Sequence, residues 1–320
     1  MRALIIGGAG FVGHYLIDHL HNNCRWSVSI TKMENESISS YADVNIYNLD
    51  ILDKEAIITV LKKTRPDFIF HLAAQSSVSL SWIKPELTVD VNIKGSINLL
   101  ESVRTLDYKP KILLIGSGEE YGHIKDEDMP LRESNQVKPG NIYAATKTCQ
   151  NMLGKIYADA YDLDIIMVRP FNHIGPGQSP NFVVSDFCKQ VVEIEKGNQL
   201  PIIYVGNLSA KRDFTDVRDV VKAYSELVIK GKKGEIYNVG SGNAVSIESI
   251  LKLVISKSEV DISIEKDTSK FRPVDIPFIE ADIHKLQSIC NWKATISIEK
   301  TIEDTLSEWR KVIKNKVQLK

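Results

Sequence analysis

The stretch Met1–Gly13, MRALIIGGAGFVG, carries the pattern that decides the fold. Ala3–Ile6 is a short apolar run, which predicts a buried strand, and Phe11–Leu20 spaces its apolar residues as a helix does. Glycines lie at the junction of the strand and the helix, and Gly7, Gly10 and Gly13 follow one another at intervals of three residues. Glycines in this position permit a tight turn and let the backbone approach a pyrophosphate, which then lies at the helix N-terminus. The first two glycines are one residue further apart than in the ordinary dinucleotide fingerprint, and the pattern predicts a dinucleotide-binding site.

The composition is that of an ordinary globular protein. The chain has 320 residues, of which 43% are hydrophobic and 25% charged, and its net charge is −1. This balance provides no field that would attract nucleic acid or an anionic membrane, and no apolar run approaches the roughly 18–20 residues that span a bilayer. The four cysteines form no Cys-x-x-Cys pair, which favours reduced thiols over a zinc or disulfide framework. We therefore expect a cytoplasmic protein without a nucleic-acid, membrane or metal site.

The end of the second predicted strand bears on the choice of cofactor. Trp26–Ile30 alternates in polarity and leads to Thr31 and Lys32. In a dinucleotide fold this end faces the adenosine ribose, where an acidic residue would pair with the 2′-hydroxyl of NAD. Thr31 and Lys32 could instead hold a 2′-phosphate, so we expect NADP(H) rather than NAD(H). The alternative is a solvated loop lysine, which the nearby Glu34 keeps open.

Apolar strands alternate with helices through the first half of the chain. After the second strand, the predicted elements are strand Val44–Leu49, helix Lys54–Lys63, strand Asp67–Ala74, helix Pro85–Arg104 and strand Lys111–Ile115. This alternation predicts βαβ units and a doubly wound parallel sheet. Ligands of such sheets bind at the carboxyl ends of the strands, and Ser117 follows the last of these strands.

A second chemical pattern lies on the helix that begins near Tyr143. Tyr143 and Lys147 are four residues apart and therefore share one face of that helix. Such a pair alone is typical of any surface helix. It gains weight here because a dinucleotide turn and a hydroxyl at a strand end precede it.

With Gly7-x-x-Gly10-x-x-Gly13, Ser117 and Tyr143-x-x-x-Lys147 in this order, the chain resembles the extended short-chain dehydrogenase/reductase family. Further stretches are typical of its nucleotide-sugar members: Asp50-Ile51, His71–Ala74, Asn92, Arg169–Asn172, Arg212–Val217 and Tyr237–Gly242. Within that branch the chain is most similar to the GDP-4-keto-6-deoxy-D-mannose reductases. That similarity rests on Gly118–Gly122, Phe171–Gln178, and Arg272-Pro273 with Pro277.

The resemblance implies reduction of a sugar ketone at C4 by NAD(P)H. Tyr143 would give its proton to the forming alkoxide, and Ser117 would hydrogen-bond the same oxygen. Lys147 would hold the nicotinamide ribose, and its ammonium together with the oxidised nicotinamide would lower the pKa of Tyr143. The implied cofactor contacts are Gly7, Gly10, Phe11, Val12, Gly13, Thr31, Lys32, Asp50, Ile51, Leu72, Ala73, Ala74, Tyr143 and Lys147.

Two related reactions remain as alternatives. The 4,6-dehydratases of the family need further acid–base groups after the strand-end hydroxyl, and here Glu119 could serve as that base while Gly118 offers no side chain. The branch that epimerises C3 and C5 uses a cysteine and a histidine, and this chain has Glu119 and Gly177 at the matching places. We interpret Cys149 as a helix core residue and His173 as a group that shapes the substrate loop.

From Asn181 onward the predicted elements are shorter and are interrupted by prolines, as expected of a substrate domain. We expect residues 1–170 to form a Rossmann-type cofactor domain, to which later segments return, and residues 171–320 to form a smaller α/β substrate-binding domain. The candidate substrate contacts are Ser76, Asn172, Val183, Lys189, Arg212 and Arg272. The arginine fork suits a diphosphate. Alternatively each arginine makes a salt bridge, Arg212 with Asp213 or Asp216 for example.

The resemblance also implies the partners of the chain. The substrate would be a GDP-linked hexose or another GDP-sugar such as a heptose, and the sequence leaves that choice open. A homodimer would form through Pro85–Arg104 and Tyr143–Tyr161 as a four-helix bundle. A nucleotide-binding protein without activity is the remaining alternative, but it would not require Ser117, Tyr143 and Lys147 together.

Overall fold

The computed structural model describes residues 1–38, 41, 43–271 and 276–318. In these residues the strands are β1 Arg2–Ile6, β2 Ser27–Lys32, β3 Val44–Asn48, β4 Phe68–His71, β5 Lys111–Ile115, β6 Ile165–Pro170, β7 Asn172–Ile174, β8 Ile202–Val205, β9 Lys211–Asp216, β10 Ile236–Val239, β11 Ala244–Ser246, β12 Ser263–Lys266 and β13 Phe278–Ile279. The central sheet has seven parallel strands in the order β10-β6-β5-β4-β1-β2-β3.

Helices cover both faces of this sheet. They are α1 Phe11–Asp18, α2 Lys54–Thr64, α3 Val78–Ile83, α4 Pro85–Val89, α5 Gly95–Arg104, α6 Ile142–Ala160, α7 Val183–Glu195, α8 Val217–Lys230, α9 Ile247–Ile255, α10 His284–Cys290 and α11 Ile298–Gln318. Short π-helical turns lie at His19–Asn23 and Asp90–Lys94, and 3₁₀ turns at Gly118–Tyr121, Asp126–Asp128 and Thr268–Lys270. The predicted α/β fold with a doubly wound parallel sheet is confirmed.

The strand β1 shows why the N-terminal run is apolar throughout. Ala3 and Ile5 pack with the helices α1 and α8 on one face, whereas Leu4 and Ile6 pack with α2 and α5 on the other. Because β2 and β4 also pair with the two edges of β1, the side chains of Ala3–Ile6 are all buried. A parallel strand buried on both faces reads as a continuous hydrophobic run rather than as an alternating one.

A second lobe carries its own hydrophobic core. Its small sheet has the order β11-β9-β13, with β7 also pairing with β9, and a separate pair joins β12 to β8. The helices α7, α9 and α11 pack together over this core. Trp309 of α11 donates a hydrogen bond from its indole nitrogen to Ser185 Oγ at 3.1 Å, so the C-terminal helix is held against α7.

Two features of the fold concern the predicted helix Pro85–Arg104 and the later segments that return to the central sheet. The predicted helix Pro85–Arg104 is interrupted by the π-helical turn Asp90–Lys94, which buries Asn92 completely. The central sheet also takes its edge strand β10 from a segment that follows the first elements of the second lobe. Within the described residues, no helix has both the length and the apolar character needed to cross a membrane.

Candidate active site

One cavity of about 1000 Å³ opens at the carboxyl ends of the central strands and extends into the second lobe. The glycine turn after β1 and the residues that follow β4 and β5 line it from the central sheet. From the second lobe, the cavity is lined by a group that we call the second-lobe wall: Val183, Asp186, Asn207, Lys270 and Phe271. The carboxyl edge of a parallel sheet is where ligands of such folds bind.

The glycine turn requires glycine at two of its positions. Gly7 has a φ of +85°, and a Cβ there would lie 2.7 Å from Ala73 Cα. A Cβ on Gly13 would lie 2.3 Å from the carbonyl oxygen of Gly8, because the first turn of α1 crosses close to the loop. A Cβ on Gly10 would meet only the Gly7 carbonyl oxygen, at 3.6 Å. Gly10 therefore leaves free space in the cavity without being needed for the turn itself.

Thr31 and Lys32 lie side by side at the end of β2 but have different roles. Thr31 is buried, and its hydroxyl accepts a hydrogen bond from Gly7 N at 3.2 Å, so it holds the glycine turn in place. Lys32 donates from Nζ to the carbonyl oxygens of Met33 at 3.0 Å and Glu34 at 3.3 Å. Both residues line the cavity, and Lys32 adds a positive charge to it.

The remaining predicted cofactor contacts line the same cavity: Phe11, Val12, Asp50, Ile51, Leu72, Ala73 and Ala74. Tyr224 of α8 also lines the cavity, although it was not among the predicted contacts. Its hydroxyl is buried there and has no hydrogen-bond partner in the described residues. A buried hydroxyl without a partner is costly, so a ligand with a polar group at that point would satisfy it. The open space at Gly10 and this hydroxyl both fit a dinucleotide.

Tyr143 and Ser117 lie close together in the cavity, near enough for the Ser117 hydroxyl to lower the pKa of the Tyr143 phenol. The helix α6 that carries Tyr143 begins with Asn141, whose side chain accepts from Ala144 N at 2.8 Å and so fixes the first turn. Ser117 caps the 3₁₀ turn Gly118–Tyr121 and accepts from Glu119 N at 3.1 Å. Both side chains are therefore held by the ends of regular elements.

Lys147 lies one helical turn after Tyr143, but its hydrogen bonds lead elsewhere. Its Nζ donates to the carbonyl oxygen of Ile115 at 2.7 Å and to Gln150 Oε1 at 3.0 Å. Burial lowers the pKa of Lys147 to about 8, and the negative charge of Glu120 opposes this shift. Lys147 also lines the cavity, so its ammonium lies within the site while the end of β5 anchors it.

The pKa of Tyr143 moves opposite to the direction that the resemblance implies. Burial raises the pKa of this phenol well above its usual value, and the charges of Glu119 and Glu120 raise it further. The Ser117 hydroxyl acts in the other direction but is outweighed. Tyr143 is therefore a neutral phenol at physiological pH, which is the form that can give a proton to a forming alkoxide.

A buried ion pair supports the turn that carries Ser117. Glu120 is completely buried, and its Oε1 accepts from Ser117 N at 2.8 Å and from Asn151 Nδ2 at 2.7 Å. Its Oε2 accepts from Arg169 Nε at 2.9 Å. The guanidinium of Arg169 also lies over the ring of Tyr121, at 4.7 Å from its centroid. The turn that carries Ser117 thus rests on a single carboxylate that accepts hydrogen bonds from three groups.

The two residues after Ser117 differ in what they offer the cavity. Glu119 lines it and accepts from Asn141 Nδ2 at 3.2 Å. A Cβ on Gly118 would lie 3.2 Å from the ring of Phe171, so this ring fills the space that a longer side chain would need. Position 118 can therefore contribute only backbone groups.

The buried Asn92 ties the loop after β4 to α6. Its Oδ1 accepts from Gln75 N at 2.8 Å, and its Nδ2 donates to Thr146 Oγ1 at 2.9 Å. Ser76, one of the predicted substrate contacts, follows Gln75 and lines the cavity. The π-helical turn that contains Asn92 thereby fixes one wall of the site.

The predicted substrate contacts are brought together only in part. Asn172, Val183 and Arg212 line the cavity together with Ser76. Lys189 does not line it, because the cavity reaches only the first residues of α7 and Lys189 lies one turn further along the helix than Asp186. Arg272 lies outside the described residues.

The other sequence interpretations concern Arg212, Cys149 and His173. Arg212 is buried and donates from Nη1 to the carbonyl oxygen of Lys211 at 2.9 Å. His173 lines the cavity, and its ring stacks on Phe11 with centroids 6.2 Å apart. Cys149 of α6 is half-buried and does not line the cavity.

Comparison with known proteins places this site in a family. The model of the GDP-mannose 4,6 dehydratase family matches residues 4–305. GDP-6-deoxy-D-mannose reductase of Pseudomonas aeruginosa is 28% identical over 309 residues, which cover 96% of this chain and 97% of that protein.

Two solved structures show the same fold. RMD from Pseudomonas aeruginosa complexed with NADPH has a TM-score of 0.86 at 27% identity, covering 97% of this chain and 99% of that one. UDP-glucose 4-epimerase of Thermus thermophilus in complex with NAD has a TM-score of 0.87 at 26% identity, with coverage of 97% and 99%. The chain therefore belongs to the GDP-mannose 4,6 dehydratase family and is an NAD(P)-dependent nucleotide-sugar oxidoreductase of the extended short-chain dehydrogenase/reductase type.

Proposed function

We propose that this protein reduces the C4 ketone of a GDP-4-keto-6-deoxy-hexose, with NADP(H) as the preferred cofactor. The observation that carries the proposal is that Tyr143 and Ser117 are neighbours in a cavity that also contains the glycine turn. A reductase needs a protonated acid beside the ketone, and burial keeps Tyr143 in that form. Similarity to GDP-6-deoxy-D-mannose reductase of Pseudomonas aeruginosa supports the same reaction.

Each of three residues would have a separate role in reducing the ketone. The bound cofactor supplies a hydride to C4 of the sugar. Tyr143 gives its proton to the oxygen that becomes an alkoxide, and Ser117 orients that oxygen by a hydrogen bond. Lys147 holds the nicotinamide ribose, and its ammonium stabilises the phenolate left on Tyr143 after the proton has moved. Because Tyr143 and Lys147 are buried, little water competes for these hydrogen bonds.

The preference for NADP(H) is proposed from the end of β2. Lys32 lines the cavity there, and a lysine ammonium suits the 2′-phosphate that distinguishes NADP from NAD. Glu36 also lines this part of the cavity, and it accepts from Met33 N at 2.8 Å. The carboxylate is thus held beside the loop backbone, while Lys32 Nζ is bound only to carbonyl oxygens.

A 4,6-dehydratase acting on a GDP-sugar is the second candidate. One observation favours it: Glu119 lines the cavity, where it could remove the C5 proton of the sugar. Gly118 argues against it, because it has no side chain to assist with the leaving hydroxyl. The ring of Phe171 occupies the adjacent space. A reductase or oxidase acting at C4 of another GDP-sugar, such as a heptose, would use the same residues.

We also propose the organisation that the sequence predicts. Residues 1–170, completed by β10, would bind the cofactor, and residues 171–320 would mainly bind the nucleotide sugar. A homodimer would form through α4, α5 and α6. In support, α6 exposes Met152 and Ile156, and α4 exposes Leu87 and Val89. Sedimentation equilibrium would return about twice the chain mass of 35.9 kDa if the dimer forms, and the single chain mass if it does not.

The decisive experiment incubates the protein with two substrates in parallel. One reaction contains GDP-4-keto-6-deoxymannose with NADPH, and the other contains GDP-mannose alone. Mass spectrometry of the first should show a product heavier by two hydrogens. Loss of water from GDP-mannose in the second reaction, without reduction in the first, would make the protein a dehydratase.

A further inference from the structure

An ion pair lies in the second-lobe wall of the cavity, on two elements that are distant in sequence. Lys270, at the end of the turn Thr268–Lys270, donates from Nζ to Asp186 Oδ2 of α7 at 2.5 Å. The same Nζ donates to the carbonyl oxygen of Tyr204 in β8 at 3.0 Å. Both side chains are partly exposed, 33% for Lys270 and 24% for Asp186, and both line the cavity.

Buried Gln190 fixes the position of this pair. Its Nε2 donates to Asp186 Oδ2 at 2.9 Å, and its Oε1 accepts from Tyr204 N at 2.9 Å. Both hydrogen bonds that the Asp186 carboxylate accepts from the described residues are thus made by Oδ2. Its Oδ1 has no such partner, so the carboxylate can still accept donors from a ligand.

We propose that Asp186 and Lys270 recognise the guanine base of the nucleotide sugar. This inference rests on the proposed function, because it names the residues that would bind the guanine base of the proposed GDP-sugar substrate. The edge of guanine presents an acceptor, O6, directly beside two donors, N1–H and the N2 amino group. A carboxylate accepts from N1–H and N2–H, and a neighbouring ammonium donates to O6. A cation and an anion in contact match this pattern.

The same pair discriminates against other bases. Uracil offers O4 and N3–H in matching positions, but its O2 would face the second carboxylate oxygen as acceptor against acceptor. Adenine presents an amino group where Lys270 donates and a bare N1 where Asp186 accepts. Hydrogen bonds to charged groups are worth enough that their loss weakens binding by about 10- to 150-fold.

The place of the pair in the fold agrees with this assignment. The glycine turn and Tyr143 belong to the central sheet, whereas Asp186 and Lys270 belong to the second lobe. A sugar nucleotide with its sugar at Tyr143 would extend its base away from the cofactor and into this lobe. Phe271, which is 46% exposed, also lines this wall and offers a face for a purine.

The test measures binding of GDP, IDP and UDP by isothermal titration to the intact protein. IDP is guanosine diphosphate without the N2 amino group, so it isolates the second donor to Asp186. The wild type should bind GDP more tightly than IDP, and IDP more tightly than UDP. The Asp186→Asn variant should bind GDP at least tenfold more weakly and lose the difference between GDP and IDP. Glu303→Gln serves as matched control, because Glu303 pairs with Lys257 at 2.7 Å outside the cavity.

A second variant keeps the proposal testable if Asp186→Asn fails to fold. Lys270→Met should weaken GDP and IDP equally, because both carry O6, and so retain their ratio. An unchanged GDP-to-IDP ratio in folded Asp186→Asn, or equal binding of GDP and IDP by the wild type, would overturn the assignment while leaving the reductase proposal intact. Tighter binding of UDP than of GDP by the wild type would overturn both.

Discussion

Arg169 and Glu120 form a buried ion pair, with Nε and Oε2 2.9 Å apart, and the other oxygen of that carboxylate holds the amide of Ser117. Loss of either partner would leave an uncompensated charge in the interior. We expect Arg169→Met to lower the free energy of unfolding by about 3–5 kcal/mol, as measured by urea denaturation. A loss below about 1 kcal/mol would mean that water reaches Glu120 in the variant.

The control for that experiment is a surface pair of the same charge type. Arg2 and Asp67 are joined at 2.9 Å with about half of each side chain exposed, 53% and 43%. Replacing Arg2 with Met should cost no more than about 1 kcal/mol. Equal effects of the two substitutions would contradict a special role for the buried pair.

Tyr143→Phe removes the proposed proton donor and leaves the ring in place. We expect kcat for ketone reduction to fall by about 100- to 10,000-fold, because general acid catalysis contributes that much. Affinity for NADPH, measured by fluorescence titration, should change little. Ser117→Ala should reduce kcat less, since it removes only the hydrogen bond that orients the oxygen. Normal turnover by Tyr143→Phe would refute the assignment of the donor.

The glycine turn offers a matched pair of substitutions. At Gly10 an alanine Cβ has room in the protein but would occupy space in the cavity, whereas at Gly13 it would collide with the Gly8 carbonyl. Gly10→Ala should therefore keep the melting temperature and weaken NADPH binding. Gly13→Ala should lower the free energy of unfolding by about 1–3 kcal/mol. Calorimetry with and without NADPH would separate the two effects, and identical behaviour of both variants would contradict this interpretation.

The lowered pKa of Lys147 predicts that the activity falls at alkaline pH. Its pKa of about 8 means that the ammonium is present at neutral pH and is lost as the pH rises through that value. Because kcat/KM for NADPH reports the free enzyme, it should fall above about pH 8. Glu120 raises the pKa of Lys147, so Glu120→Gln should move the fall to lower pH. A wild-type profile that stays flat up to about pH 10 would contradict the role of Lys147.

The proposed preference for NADP(H) over NAD(H) depends on the charge of Lys32. Lys32→Ala should raise KM for NADPH by about tenfold through loss of a charged hydrogen bond to the 2′-phosphate. KM for NADH, which has no such phosphate, should remain nearly constant. Steady-state kinetics with both cofactors measures this, and an equal change in the two constants would remove the argument for NADP(H).

The sequence predicted those parts of the site that depend on local spacing. The glycine turn was predicted from the spacing of Gly7, Gly10 and Gly13 where a strand meets a helix. Tyr143 and Lys147 were placed together because one helical turn separates them. Ser117 could be placed because the carboxyl ends of parallel strands share an edge. The strands β1 to β5 were found within a few residues of their observed ends, because each is a short apolar or alternating run, whereas β6 and β10 were not predicted as strands.

Features that depend on packing between distant segments could not be read in this way. Tyr224 lies in an amphipathic helix without any motif, and only the fold turns its hydroxyl toward the cavity. Lys189 and Lys270 look alike in the sequence, but the cavity ends before the turn of α7 that carries Lys189, whereas a short turn brings Lys270 to Asp186. The expected lowering of the pKa of Tyr143 ignored its burial.

The origin of β10 has a consequence for how the chain folds as it is made. This strand pairs with β6, yet residues 171–235 must be synthesised before it exists. At about 5–20 residues per second, the backbone of β6 keeps an unpaired edge for several seconds on the ribosome. An open strand edge invites pairing with other chains. The nascent polypeptide is therefore open to pairing with other chains until Ile236–Val239 leaves the exit tunnel.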